Sequence, residues 1–161
     1  MKLFKCLSSL AIAATLLLPI SNIASASRDF PKIYVNHEKL DIYAAVATIG
    51  VTYVPFRPIF EKLQMTVNWD NIKKSVTATN GTTTIILTNN SYIAYVNDKE
   101  VQLLNPPSYN PEDGIFYVNL RFVAESTGAT VNWSKDDQTD SATINITDPN
   151  LSKLPSDTTS Q

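Results

Sequence analysis

Short stretches of alternating apolar and polar residues fill most of the chain, while two stretches space their apolar residues three and four apart. Strict alternation is typical of half-buried strands, whereas the wider spacing places apolar residues on one face of a helix. Two sets of positions have the helical spacing: Phe56, Ile59, Phe60 and Leu63, and Leu120, Val123, Ala124 and Thr127. We therefore predict an α+β fold in which antiparallel β-sheet and hairpins pack on two short amphipathic helices.

Turn residues separate several of the predicted strands. The segments "NHEK" at 36–39 and "NDKE" at 97–100 each lie between two strand patterns, and so does the pair Asn80-Gly81. Asparagine and glycine tolerate the positive φ angles of tight turns, so a β-hairpin is predicted at each of the three places.

Residues at the ends of the two helical patterns are also typical of helix boundaries. Asn119 precedes the second helix and is a predicted N-cap, because its side chain can accept a hydrogen bond from a free N–H of the first turn. Gly128 follows the same helix and suits a left-handed C-terminal conformation. Pro58 fits the first turn of the first helix, where a missing N–H costs little.

The chain resembles itself after an offset of 64 residues. Positions 53–70 and 117–134 share eight identities, and the phrases "VNHEKL" and "VNDKEV" extend the similarity upstream. We predict two tandem copies of a β-hairpin, strand, helix, strand unit, at about 33–92 and 93–147. Each copy is small for a core of its own, so we expect the two copies to share one core, with two separate lobes as the alternative.

The first 26 residues have the order of features found in secretory signal peptides. Lys2 and Lys5 precede the apolar run "LAIAATLLLPI", and "ASA" ends at Ala26. We predict cleavage after Ala26, with an uncleaved membrane anchor as the alternative. The exported chain would then be secreted or associated with the cell wall, and would make no membrane contact.

Removal of this segment changes the chemistry that remains. The only cysteine, Cys6, is lost, so neither disulfides nor thiolate chemistry is expected. Loss of Lys2 and Lys5 from 13 basic residues leaves 11 against 15 acidic ones, a net charge of about -4. Nucleic acid is therefore not an expected partner, since no basic run is present to neutralise phosphates.

The phrase "YVNLRFVAESTGATVNW" resembles the signature "VPLRFVAEALGAxVxW" of copper amine oxidase-like N-terminal domains, or stalk domains, of secreted Gram-positive bacterial proteins. "YVPFRPIFEKLQMTVNWD" is similar to the first copy of that signature. The resemblance spans about Ile33 to Ile146, with Asn119 in place of the usual proline. It implies an antiparallel sheet wrapped on a helix, and no catalysis, because in copper amine oxidases the metal and quinone chemistry belongs to a separate domain. We accordingly expect no enzyme activity, no cofactor and no bound copper.

Six residues are the predicted core of the repeated unit. They are Tyr53, Tyr117, Val67, Val131, Trp69 and Trp133. The two tryptophans end alternating strands and hold equivalent places in the two copies, so burial of both is expected. The alternative for the tryptophans is an exposed platform on which sugars stack, as exported β-proteins use them.

Two arginines recur in the repeated phrase. Arg57 lies four residues before Glu61, and Arg121 four residues before Glu125, so each pair can form on one helix face. An exposed pair of this kind contributes only about 0.3 kcal/mol, which suggests a further role. Each arginine is expected to bond strand carbonyls, with an acidic ligand as the alternative.

Polar loops offer further candidate sites. The segment at 103–114 has no counterpart of equal length in the first copy, and Tyr109, Glu112 and Asp113 within it are candidate ligand or partner contacts. The aspartates of "SKDDQTD", at 136, 137 and 140, are expected to face water, with weak calcium binding as the alternative. His37, the sole histidine, is expected to be a solvated turn residue.

These features predict an exported, non-catalytic binding or interaction module at the cell envelope, with a disordered tail at 148–161. The expected partners are cell-wall polymer or another exported protein, and self-association is also considered. Two alternatives remain: a small glycan hydrolase with paired acids, which requires two carboxylates across a cleft, and a calcium-dependent adhesion module.

Overall fold

The computed structural model describes residues 30–46, 50–139 and 141–151, and the predicted signal peptide lies outside these ranges. Within them the chain forms thirteen strands and two helices. The helices are α1, Phe56–Lys62, and α2, Leu120–Ser126. The strands are, in chain order, β1 Lys32–Val35, β2 Glu38–Leu40, β3 Ala45–Val46, β4 Thr52–Pro55, β5 Thr66–Asp70, β6 Ser75–Thr79, β7 Thr84–Thr88, β8 Ile93–Val96, β9 Lys99–Gln102, β10 Ser108–Asn110, β11 Ile115–Asn119, β12 Thr130–Lys135 and β13 Ala142–Thr147.

The described strands form three sheets, with the orders β12-β13-β1-β2, β10-β11-β4-β3 and β5-β6-β7-β8-β9. Neighbouring strands run antiparallel except for β1 and β13, which pair in parallel. The first and last described strands therefore lie side by side in one sheet. The α+β class predicted from the sequence, with mainly antiparallel sheet and two short helices, is confirmed.

The central sheet pairs β4 with β11 in a register that is symmetric under the 64-residue offset. Val54 lies opposite Val118, while Tyr53 pairs with Asn119 and Pro55 with Tyr117. Because Tyr117 corresponds to Tyr53 and Asn119 to Pro55, exchanging the two strands reproduces the same pairs. Residues 53–70, the first segment, and 117–134, the second segment, therefore meet through equivalent surfaces.

One hydrophobic core lies between the helices and the sheets. Each helix contacts the strand before it, the strand after it and the central strand of the other segment. Ile59 and Phe60 of α1 and Val123 of α2 are fully buried within the same cluster. The two segments share one core, as expected from their small size. Val67 and Val131, predicted as core residues, are partly buried and pack against this cluster.

The ends of α2 follow the sequence pattern. The side chain of Asn119 accepts a hydrogen bond from the N–H of Phe122 at 3.1 Å, so the predicted N-cap is confirmed. Gly128, just beyond the helix, has a φ of +90°, the left-handed conformation that glycine adopts at low cost.

The two ends of α1 are formed by residues that differ from those of α2. Pro55 occupies the cap position and makes no side-chain capping bond. The third helical residue is Pro58, which has no N–H, so the donor that Asn119 satisfies in α2 does not exist in α1. At the other end Gln64 takes the place of Gly128 and adopts a φ of +56°, which a residue with a Cβ adopts at a cost.

Two of the predicted hairpins have very short turns. Asn36 and His37 connect β1 to β2, and Asn97 and Asp98 connect β8 to β9. All four residues have positive φ, as two-residue turns of the I′ type require. These hairpins are confirmed.

The hairpin between β6 and β7 is also present, but its turn is longer than the Asn80-Gly81 pair indicates. The connection uses residues 80–83, and of the Asn-Gly pair only Gly81 has positive φ. Asn80 instead accepts hydrogen bonds from the N–H groups of Thr82 and Thr83 through its side-chain oxygen. The asparagine thus closes the turn with its side chain as well as with its backbone N–H, which donates to the carbonyl of Thr83 at 3.1 Å.

The tail was predicted to be disordered from residue 148, and the structure corrects this boundary. Asp148 is 3% exposed, and its backbone exchanges two hydrogen bonds with the side-chain amide of Asn36. Leu151 packs against the core. Residues 148–151 therefore belong to the fold, because they extend the contact between the chain after β13 and the turn after β1.

Candidate functional site

Two grooves occur where a helix of one segment meets the central strand of the other. The Trp69 groove, of about 370 Å³, is lined by residues 55–58, Trp69 and residues 114–116. The Trp133 groove, of about 310 Å³, is lined by residues 50–52, 119–121, Leu104, Asn105, Val131, Trp133 and Ile144. Shifting each lining position of the Trp69 groove except Pro58 by 64 residues gives a lining position of the Trp133 groove. The two grooves are therefore built from corresponding parts of the chain.

Aromatic side chains surround the tryptophan of the Trp69 groove. The ring centroid of Trp69 lies 5.2 Å from that of Phe116 and 6.0 Å from that of Phe56. Tyr109 stacks on the same indole at 5.8 Å with an angle of 24° between the ring planes. Trp69 is half-buried and packs against the core, so its role is structural.

The tryptophan of the Trp133 groove has a different environment. The counterparts of Phe56 and Phe116 are Leu120 and Thr52, and among the described residues Trp133 makes no ring-to-ring contact. Its side chain is 54% exposed. The prediction that Trp133 is a core residue is therefore wrong. The cause is the loss of two aromatic neighbours, which leaves one side of the indole open to solvent.

Two residues of the 103–114 segment that were not named as candidate contacts complete the Trp133 groove. Leu104 is 91% exposed, which is unusual for a large aliphatic side chain. The Oδ1 atom of Asn105 is buried and has no hydrogen-bond partner among the described residues. A buried carbonyl oxygen without a donor is costly, by about 1–3 kcal/mol, so a group that supplies a donor would be stabilised there.

The repeated arginines differ in what they bind. Both form the expected pair with a glutamate, Arg57 with Glu61 at 3.7 Å and Arg121 with Glu125 at 3.0 Å. Arg121 also donates from Nη1 to the carbonyl oxygen of Val131 at 3.1 Å, which joins α2 to β12 as the carbonyl-bonding prediction describes. The guanidinium of Arg57 instead lies 5.3 Å from the ring centre of its neighbour Phe56.

The two repeated tyrosines are half-buried at the sheet surface. The hydroxyl of Tyr53 donates to the carbonyl of Pro106 at 3.0 Å, and that of Tyr117 donates to Asp113 at 3.0 Å. Burial raises the pKa of Tyr117, and the Asp113 carboxylate raises it further. Burial also raises the pKa of Tyr53, with a smaller effect from Tyr92. Both hydroxyls therefore remain protonated donors at neutral pH.

The candidate contact residues of the 103–114 loop are engaged mainly within the chain. Tyr109 lies between Trp69 and the ammonium of Lys74, which is 4.8 Å from its ring centre. Asp113 accepts hydrogen bonds from Asn110, Ile115 and Tyr117, so it stabilises its own turn. Glu112 is exposed. Of the predicted contact residues, only Arg121 lines the Trp133 groove.

A comparison with protein-family models matches residues 34–141 to the copper amine oxidase N-terminal domain. The chain belongs to this family. A comparison with curated proteins finds no match. The copper amine oxidase N-terminal domain is a non-catalytic domain, and no catalytic family model supports an enzymatic role for this chain.

Copper, which the family name suggests, does not fit the residues of this copper amine oxidase N-terminal domain. Protein copper sites use imidazole and sulfur ligands. His37 lies in the exposed turn between β1 and β2, whereas Met65 is 3% exposed inside the core. In the described ranges no group of three or more histidine, cysteine, aspartate or glutamate residues is placed to hold a metal ion.

In the aspartate-rich loop of the domain, backbone N–H groups of the loop itself bond a carboxylate. The carboxylate of Asp136 accepts hydrogen bonds at 2.9 Å from the N–H groups of Gln138 and Thr139. Both hydrogen bonds lower the pKa of Asp136 below its ordinary value, and the bond from Thr139 has the larger effect. Asp140 lies outside the described residues.

Within the described ranges no helix is long and apolar enough to cross a membrane.

The signal that identifies the Trp133 groove was present in the sequence. Applying the 64-residue offset to the neighbours of Trp69 gives Thr52 and Leu120 for Trp133, and neither can replace an aromatic ring. Leu104 and Asn105 lie in the 103–114 segment, whose divergence from the first copy marked it for candidate contacts, but neither residue was named among them.

Proposed function

We propose that this chain is an exported, non-catalytic binding module that contacts its partner at the cell envelope through the Trp133 groove. The observation that carries the proposal is the exposure of Trp133 beside Leu104 in a concave surface. Tryptophan is enriched among the residues that dominate binding energy in interfaces, and exposed large apolar side chains in a groove favour a contact role.

The comparison of the two grooves supports this proposal. We infer that the chain consists of two copies of one unit, since the β4–β11 register and the two lining sets correspond under one offset. In the first copy aromatic neighbours cover the tryptophan, so a covered tryptophan is compatible with the fold. An open indole in the second copy is therefore not required by packing.

The expected cellular location agrees with such a role. Residues 1–26 have the features of a secretory signal, and the family is described as a non-catalytic domain. The partner that we propose is cell-wall polymer, and another exported protein or a second copy of this chain is the alternative if the wall does not bind.

The proposal is tested by sedimentation of purified residues 27–161 with insoluble Gram-positive cell wall. We expect the wild-type chain to sediment with the wall and Trp133→Ala to remain in solution. Tyr92→Ala is the matched control, because Tyr92 is 53% exposed and lines neither groove. The proposal is wrong if wild type does not bind, or if both variants bind like wild type.

Mass spectrometry of material exported by the native host tests cleavage after Ala26, where an N-terminus at Ser27 is expected.

A further inference from the structure

The chemistry of the Trp133 groove also indicates which class of ligand it takes. The argument rests on the proposed function, since it concerns the same site. Three features of the groove matter: the open face of the indole, the unpaired oxygen of Asn105, and the pairing of its one charged residue among the described lining positions with a carboxylate.

The first feature is the open face of the Trp133 indole, which favours a ligand with a flat face. On the corresponding indole of Trp69, the chain places the flat ring of Tyr109 at 5.8 Å and nearly parallel. The indole face carries partial negative charge, so it attracts a flat group whose edge or C–H bonds carry partial positive charge. A pyranose ring with equatorial substituents has such a face, because its axial C–H bonds all lie perpendicular to the ring.

The second feature is the need for a donor. The buried Oδ1 of Asn105 has no partner in the described part of the chain, and Asn105 is one of the residues that line the same groove. A sugar hydroxyl supplies a donor next to a C–H face, so one ring could stack on the indole and, with the Asn105 amide turned toward the groove, also satisfy its oxygen. A purely apolar ligand would leave this oxygen unpaired, at a cost.

The third feature is the charge of the groove. Arg121 is the one charged residue among the described lining positions, and its Nη1 is bonded to both Glu125 and the carbonyl of Val131. No carboxylate lines the groove within the described ranges. The charge of Arg121 is already paired with Glu125 at 3.0 Å, so an anionic ligand would have to compete with this carboxylate, and a neutral ligand fits better.

We infer that the Trp133 groove binds an uncharged pyranose ring of a β-linked glycan, which stacks on Trp133 and donates a hydroxyl hydrogen bond to Asn105. The probes are soluble hexamers of β-1,4-linked N-acetylglucosamine and of β-1,4-linked glucose, titrated into residues 27–161 by calorimetry. We expect at least one neutral hexamer to bind and an oligomer of β-linked glucuronic acid to bind more weakly.

Variants separate the contributions of the two side chains. Trp133→Ala should abolish measurable binding, and Asn105→Ala should weaken it about tenfold, the effect of losing roughly one hydrogen bond to a buried acceptor. Asn105→Asp keeps an acceptor at this place and should retain more binding than Asn105→Ala. Tyr92→Ala should bind like wild type. Unfolding curves for each variant show whether a loss of binding reflects a loss of folding.

The outcomes distinguish this inference from the proposed function. Wall binding that depends on Trp133, without binding of either neutral hexamer, overturns the glycan inference and leaves the binding module intact. Tighter binding of the acidic oligomer also overturns it, in favour of recognition by Arg121. A dimer in sedimentation velocity that Trp133→Ala abolishes overturns it in favour of a second copy of the chain. Failure of wall binding as well overturns the proposed function.

Discussion

The two strand–helix–strand segments of this protein have the same backbone plan and opposite surroundings for their tryptophans. Trp69 of the first segment is half-buried among three aromatic rings, whereas Trp133 of the second is 54% exposed. The main difference lies in the neighbours: Trp69 has Phe56 and Phe116, whereas the corresponding residues at Trp133 are Leu120 and Thr52. An identical residue at an equivalent position therefore does not have an identical role, because its role depends on what the rest of the fold places against it.

The helix ends show the reverse, in which different residues perform one task. Asn119 caps α2 with its side chain, whereas α1 needs no such bond because Pro58 removes the donor. Gly128 and Gln64 both adopt positive φ after their helices. The backbone geometry is kept in both segments while its energetic cost differs, and these differences can be measured.

The largest expected effect is on the two tryptophans. Trp69→Ala should lower the free energy of unfolding by about 2–3 kcal/mol, somewhat less than for a fully buried aromatic, because its ring is only half-buried. Trp133→Ala should change it by less than about 0.5 kcal/mol. Urea unfolding followed by circular dichroism measures both. Equal losses would show that the two indoles are packed alike.

A smaller effect is expected at the positive-φ residues. Gly128→Ala should lower the free energy of unfolding by about 1 kcal/mol, through backbone conformation alone, because an added Cβ meets no atom within 4 Å. Gln64→Gly should raise it by about 0.5 kcal/mol, since relief of left-handed strain is partly offset by greater freedom of the unfolded chain. Thermal unfolding of both variants gives the comparison. A destabilising Gln64→Gly would show that the side chain of Gln64 has a role that its backbone does not reveal.

The smallest expected effect concerns the caps. Asn119→Ala should lower the free energy of unfolding by somewhat less than 1 kcal/mol, by removing the bond to Phe122. Pro55→Asn should bring no capping gain, because the third residue of α1 is a proline without an N–H. The double variant Pro55→Asn/Pro58→Ala restores that donor, so it should be more stable than Pro58→Ala alone. Chemical unfolding of the four variants tests this, and a gain from Pro55→Asn alone would contradict it.

Much of the fold could be predicted from local pattern. Helical spacing at Phe56–Leu63 and Leu120–Thr127 located both helices, and the asparagine turns located two hairpins, because these signals act between residues close in sequence. The parallel pairing of β1 with β13 could not be predicted in this way, since it joins residues about a hundred positions apart and depends on the assembled core. The same holds for Asp148, whose hydrogen bonds are made to Asn36.

The candidate site was only partly visible in the sequence. Trp133 and Arg121 were singled out by repetition, but repetition suggested equal burial for the two tryptophans. Exposure depends on cross-segment neighbours such as Thr52, which become neighbours only through the β4–β11 pairing. Asn105 could not be identified because an unpaired buried oxygen is a property of the folded chain.

The most direct test of this account is acrylamide quenching of tryptophan fluorescence in two single-tryptophan variants. Trp69→Phe leaves only Trp133, and Trp133→Phe leaves only Trp69, while both substitutions keep an aromatic ring at the altered position. The account predicts a longer emission wavelength and several-fold stronger quenching for Trp133 than for Trp69, in protein that remains folded. Equal quenching of the two residues, or stronger quenching of Trp69, would contradict the claim that aromatic neighbours cover the indole of Trp69 whereas the indole of Trp133 is open to solvent.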